Sequence, residues 1–312
     1  MGLAQFDSRK KYFDGAGKEI QEATSLNQAL HLSGMDFEVK KTPLYMNLGD
    51  KNFATDAYAT YKQGEDGLPI QLGTVKKNYH ILQNHEAFNF LDGLAKQGDI
   101  KFETAGTYAN ERKSFITCST EPLKILGDEF DNYILLTNSF DGSSTVRITQ
   151  TPTRVFCSNC ISLCLKNANN VISVRHSNQV KMQMEQAKEL LLNNTKYLEA
   201  LKTEAEKLAV MPFSEDAFYT LAKSLYKADE NASNIVQIRN LEAIESLMRA
   251  YRMEDLQGFN GTAWKAINAV SDYNTHKKAT KKIKEADTQN LVTVVNGMEL
   301  LNQAYQMILH HV

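Results

Sequence analysis

The stretch from Asn132 to Lys166 constrains the fold more than any other part of the chain. It opens as an apolar run, Tyr133-Ile134-Leu135-Leu136, and breaks at Asn138-Ser139-Phe140-Asp141-Gly142-Ser143-Ser144, where Asp-Gly supplies the positive-φ turn chemistry of a hairpin. It resumes as an alternating strand, Val146-Arg147-Ile148-Thr149, passes Pro152, and runs through Val155-Phe156-Cys157 into a helix predicted to be capped by Ser158 or Asn159. Two strands, a polar turn and a helix start therefore fall close together, and the stretch reads as the hub of a sheet.

The flanking sequence extends that sheet. Residues 1–24 are polar and read as an irregular arm. Ser25 can cap a short helix, Leu26 to Ser33, closed by Gly34. Met35, Phe37 and Val39 alternate with Asp36, Glu38 and Lys40, the period of a half-buried strand, and Pro43 is expected to limit its length. Asp50 to Gly67 reads as a hairpin with a loose tip at Gly64-Glu65-Asp66-Gly67, and Gln71 to Ile81 as a further strand pair. Asn84 is expected to cap a helix with Ala87, Phe88, Leu91 and Leu94 on its apolar face, stopped at Gly98. Two strand-like runs, Ile100–Tyr108 and Lys113–Ser119, are joined by Ala109-Asn110-Glu111-Arg112. A strand over Leu123–Leu126 follows.

After His176 the pattern changes from period 2 to period 3.6. Val180 to Val210 holds no Gly or Pro, and Leu191, Leu198, Leu201, Ala205 and Leu208 recur at helical spacing. Pro212 ends that helix, Ser214-Glu215-Asp216 opens the next, and others are predicted at about Asn234–Tyr251, Gly261–Glu285 and Asp287–His310. The expected fold is α+β: a largely antiparallel sheet domain with flanking helices over 25–180, followed by an all-helical domain over 181–312.

Composition narrows the class. With 312 residues, 42% hydrophobic and 23% charged, the chain has the makeup of a soluble globular protein. No apolar run approaches the ~20 residues needed to cross a bilayer, and the start, MGLAQFDSRKKYFDG, lacks a signal-peptide pattern. A cytoplasmic location without membrane contact is expected. The net charge of −2 is spread evenly along the chain, so nucleic-acid contact would have to come from local patches or from several assembled copies. Four cysteines, Cys118, Cys157, Cys160 and Cys164, do not make a disulfide scaffold.

Several fragments together resemble a known group. Glu103-Thr104-Ala105-Gly106, Leu135 to Ser143, Thr151 to Asn159, His176, and the run Gly261-Thr262-Ala263-Trp264-Lys265-Ala266-Ile267-Asn268-Ala269-Val270-Ser271-Asp272-Tyr273-Asn274-Thr275-His276 resemble the uncharacterised phage/plasmid-like protein family. The resemblance implies an origin on mobile elements and points to their DNA metabolism. A glycine common in that family before the arginine is replaced here at Asn110-Glu111. Asn tolerates positive φ, so the turn should survive.

Candidate chemistry is sparse. Cys157 and Cys160 have the gap of a zinc knuckle, but no second pair completes four ligands, so buried thiols are favoured and no metal or other cofactor is expected. Arg154 is expected to pair with an internal carboxylate such as Glu103 or Asp141 or to reach a phosphate, and Arg147 to face outward. The loop offers Phe140, expected to be exposed, and Asp141, for which an Asx turn is favoured over a general base. Trp264 is read as core. A cationic run, Lys277, Lys278, Lys281, Lys282 and Lys284, forms a stripe along one helix side. A solvated helix end is the plain reading of that stripe, and phosphate contact the functional one.

Three hypotheses follow. The first is a phage-encoded non-enzymatic protein that binds nucleic acid, single-stranded DNA favoured, as a homo-oligomer in recombination or replication, with Arg147, Arg154 and the five lysines in contact. The second is a factor that contacts a host protein through the helical domain. The third is an enzyme using Asp141, Glu103 and His176, which requires the three to converge; no catalytic set is assigned.

Overall fold

A computed structural model describes residues 17–154, 163, 171–177, 195–227, 232–254, 256, 258–274 and 298–310. The fold is α+β, with two antiparallel sheets in the N-terminal part and helices in the C-terminal part. In chain order the elements are β1 (Lys18–Glu19), α1 (Leu26–Ser33), β2 (Lys40–Leu48), β3 (Lys51–Gln63), β4 (Pro69–Lys76), α2 (Asn84–Phe88), α3 (Leu91–Gln97), β5 (Lys101–Tyr108), β6 (Lys113–Ile125), β7 (Asp128–Ser139), β8 (Val146–Arg154) and β9 (Val171–Val174). The helices α4 (Thr195–Val210), α5 (Glu215–Leu225), α6 (Asn234–Met253), α7 (Ala263–Asp272) and α8 (Glu299–His310) follow.

The large sheet has the order β1-β5-β6-β7-β8-β9, and β7 lies inside it, between β6 and β8. The Asp141-Gly142 hairpin joins β7 to β8 as expected, with Leu136 opposite Ile148 and Gly142 at φ 72°. Alternation along β7 sends side chains to two different cores. Ile134 and Leu136 join Ile116, Val146 and Ile148 under α1, α2 and α3, together with Leu30, Phe88 and Leu91. Tyr133 and Leu135 join Phe115 and Phe130 beneath the C-terminal helices, against Leu201, Leu247, Trp264 and Leu301. Both faces are thus covered, which is why β7 reads as a continuous apolar run rather than a polar–apolar alternation. Trp264 is fully buried, as expected.

Local signals act where they were expected at several helix ends. Ser25 Oγ accepts from Gln28 N at 3.4 Å, and Gly34 at φ 72° donates its N–H to His31 O at 3.1 Å. Ser214 caps α5 by accepting from Ala217 N at 3.2 Å. Three expectations are corrected. Met35 to Val39 is extended and alternately buried without pairing, and the strand runs instead from Lys40 through Pro43 to Leu48. Proline is tolerated because β2 is an edge strand whose register shifts between Pro43 and Tyr45. The helix after Ile81 is capped by Gln83 and interrupted between Phe88 and Leu91. Asn84 is buried, donating to Met35 O at 3.0 Å and accepting from Ser114 Oγ at 2.6 Å.

The second sheet, β2-β3-β4, sits over the β7–β8 turn. Thr60 Oγ1 donates to Phe140 O at 2.7 Å, and Val39, Leu72 and Phe140 form a small core with Phe37 edge-on to Phe140 at 5.8 Å. At Gly73 the backbone approaches Asp141 so closely that a Cβ would collide with the Asp141 Cα. Lys62 Nζ reaches across to Glu111 Oε1 at 2.6 Å. Glu111 lies in a turn where Ala109, Asn110 and Glu111 all have φ between 55° and 61°, so the Asn110 position is left-handed as expected and its two neighbours join it.

Candidate functional site

The junction between the sheets gathers most of the polar residues singled out in the sequence. Asp141 Oδ1 accepts from Ser139 Oγ at 2.7 Å and from Ser143 N at 2.9 Å, the Asx turn that was expected. Burial alone would raise its carboxyl pKa, but the hydrogen bonds from Ser143 and Ser139 and the Lys113 charge outweigh that and hold it below the ordinary carboxylate value. Tyr79 Oη donates to Ser139 O at 2.6 Å, and its ring stacks on His176 at 4.8 Å. The His176 Nδ1 lies 3.2 Å from His80 O, which requires the proton on Nδ1. Burial depresses the imidazole to about 4, against the smaller opposing influences of the His80 carbonyl and Asp141. His176 is therefore neutral at pH 7.

Phe140 is fully buried, which corrects the expectation of an exposed contact residue. The sheet formed by residues 40–76 closes over it, and no local pattern in the loop encodes that. Arg147 does not face outward. It is half-buried, opposite Thr137 and Ser173, with its Nε shielded from solvent, because a sheet covered on both faces has no outer side there. Arg154 ends β8 opposite Phe130, and its side chain, with the pairing expected of it, lies outside the described residues. Lys277, Lys278, Lys281, Lys282 and Lys284 and the cysteines Cys157, Cys160 and Cys164 also lie outside them.

Glu103 is far from this junction. It occupies a bulge between Phe102 and Thr104 and accepts from Gln21 Nε2 and Ser119 Oγ, each at 2.7 Å. Ser119 pairs with Tyr133, whereas Asp141 follows Ser139, six residues further along β7 and roughly 20 Å away at the rise of a strand. Asp141 and His176 share one neighbourhood, and Glu103 does not join them. Among the described residues no group of three His, Cys, Asp or Glu could hold a metal ion, and no helix is long and apolar enough to cross a membrane.

The exposed chemistry lies on the small sheet instead. Its three strands carry five lysines, Lys40, Lys41, Lys51, Lys62 and Lys76, against one carboxylate, Asp56. Lys41 and Lys62 serve the inner face. Lys41 donates to Lys77 O and Tyr79 O at 2.9 and 2.8 Å, and Lys62 holds Glu111. The outer face follows from the register: Lys40 lies opposite Tyr61, Lys76 opposite Ala57, and, further out, Met46 opposite Phe53 and Leu48 opposite Lys51. Lys40 makes a solvent-exposed pair with Glu38 at 3.2 Å, of the kind that contributes little. Thr42, Gln71 and Thr74 complete this exposed face. Sequence reading passed over these residues, although the excess of lysine over acid within the strands was visible and is a usable signal.

The model of the family described as Domain of unknown function (DUF932) matches residues 71–294. The chain belongs to the DUF932 family. The matched segment begins inside β4 and includes strands β5 to β9 of the large sheet and the helices from α2 to α7, so β1, α1, β2 and β3 precede it. No curated protein and no solved structure matches this DUF932 chain.

Proposed function

We propose that the chain is a non-enzymatic nucleic-acid-binding protein of phage or plasmid origin, favouring single-stranded DNA and acting as an oligomer in recombination or replication in the host cytoplasm. The observation that carries this reading is the lysine-rich outer face of the β2-β3-β4 sheet, with Lys40, Lys51 and Lys76 beside Tyr61 and Phe53, in a chain of net charge −2. Interleaved cations and aromatic rings on an open sheet suit phosphates and bases together. The separation of Glu103 from Asp141 and His176 weighs against catalysis by that set.

A second reading, a factor that contacts a host protein through its helices, is favoured by α6, where Ile235, Ile238 and Leu241 are exposed by 63%, 56% and 61%. The same stripe could join copies of the chain. Fluorescence polarisation with labelled single and double strands at low salt, alongside light scattering, tests both readings. Binding that is weakened in the charge reversal of Lys40, Lys51 and Lys76 to Glu supports the first, and absence of binding by the wild type at low salt ends it.

A further inference from the structure

The β2–β3 hairpin is longer than the sheet that supports it. Strand β4 pairs with β3 only from Ala57 to Gln63, whereas β2 and β3 continue pairing out to Leu48 and Lys51. The outer segment, Tyr45–Leu48 against Lys51–Ala54, is therefore a two-stranded ribbon with no third strand among the described residues, and every residue in it is exposed. Four of its ten positions from Tyr45 to Ala54 hold large apolar side chains: Tyr45 (62% exposed), Met46 (51%), Leu48 (58%) and Phe53 (46%). A bare two-stranded ribbon is marginal in water, and these side chains contribute little to folding where they stand.

The register distributes them in a specific way. Met46 and Phe53 oppose each other on the face continuous with Lys40, Tyr61 and Lys76, while Tyr45 and Ala54 oppose each other on the reverse. The ribbon thus presents an aromatic ring on either side of one thin blade. Lys51 lies two residues from Phe53 on the same side, about 7 Å away along the strand. Asn47 and Asn52 face each other beside Tyr45, adding amide donors and acceptors, and Asp50 at the tip is the one acid of the ribbon.

We infer that this ribbon is a stacking arm for unpaired bases, its ligand single-stranded nucleic acid, with Phe53 and Tyr45 as the platforms and Lys51, Lys40 and Lys76 receiving the adjoining phosphates. The inference rests on the nucleic-acid reading above and adds which strand form is recognised and by what. Bases of an intact duplex offer no free ring faces, so the aromatic contribution goes to single strands, while the lysines attract both forms. The continuity of the blade with the basic face is what selects a polyanion carrying flat apolar groups over a second protein surface.

The test uses the full chain and the double variant Tyr45→Ala/Phe53→Ala, with fluorescent oligothymidylate and a duplex of equal length as probes. The variant should bind the oligothymidylate at least about tenfold more weakly, keep its duplex affinity, and retain both its melting temperature and its mass by light scattering. Unchanged oligothymidylate affinity overturns the arm while leaving the basic face standing, and so does a change in mass, which would make the ribbon a contact between protein chains. A wild-type chain that binds neither probe overturns the arm and the proposed function together. The conservative variant Phe53→Tyr, measured beside Phe53→Ala, should keep the oligothymidylate binding that the alanine variant loses.

Discussion

The two sheets of this protein are built from the same antiparallel pairing but are used oppositely. In β7 the interior of the strand is buried on both faces, with Leu136 under α1–α3 and Leu135 under the C-terminal helices. In β3 only the inner part packs, through Thr60 on Phe140 and Ala59 nearby, and the outer part has water on both sides. Stability is therefore concentrated in the large sheet, while the small sheet has side chains left over for contact. Substitutions should separate along that line.

The largest effect belongs to the doubly covered sheet. Leu136→Ala removes a fully buried side chain, and the expected loss is about 2–5 kcal/mol in denaturant unfolding, with a similar result for Trp264→Ala. A loss below about 1 kcal/mol would mean that the large sheet is no better supported than the small one.

Next comes the junction. His176 titrates at about 4 when folded against an ordinary 6.5, so the unfolded chain binds the proton first. The stability it contributes is complete above about pH 6.5 and is lost as the pH falls toward 4, on the order of 3 kcal/mol at most. Asp141, also held below its ordinary value, acts in the same direction at lower pH. Urea titrations across this range should show His176→Gln with a shallower pH dependence than wild type, and equal slopes would remove His176 from the account.

Gly73→Ala probes the seam itself. A Cβ there collides with the Asp141 Cα, so the seam must part or the backbone must shift, at about 1–3 kcal/mol. Amide exchange at Phe140, whose carbonyl accepts from Thr60, should accelerate in this variant more than exchange at Leu136. The smallest effect is expected at the ribbon. Phe53→Ala, nearly half exposed and without a third strand beside it, should change stability by no more than about 0.5 kcal/mol while weakening oligonucleotide binding.

Much of the framework was legible because its signals are local. Asp141-Gly142, Ser25 with Gly34, and Ser214 each act through the neighbouring backbone, and each does in the structure what its residue type suggests. The alternation from Met35 to Val39 was read correctly as burial and incorrectly as pairing: the same period appears in an extended segment laid on a core without a ladder. What escaped was non-local. The burial of Phe140 depends on a sheet that begins a hundred residues earlier in the chain, at Lys40, and Arg147 turned out not to face solvent because helices far along the sequence cover the second face. The basic face was hidden for a related reason. Lys40, Lys51 and Lys76 are scattered in sequence and share a face only once the register of three strands is known.

The most direct measurement is the salt dependence of single-strand binding by wild type and by the Lys40→Glu/Lys51→Glu/Lys76→Glu chain. With three phosphates neutralised at this face, the log–log slope of the wild type should exceed that of the variant by about 2. Equal slopes, or wild-type binding that does not weaken with salt, would contradict the assignment of the small sheet as the nucleic-acid surface.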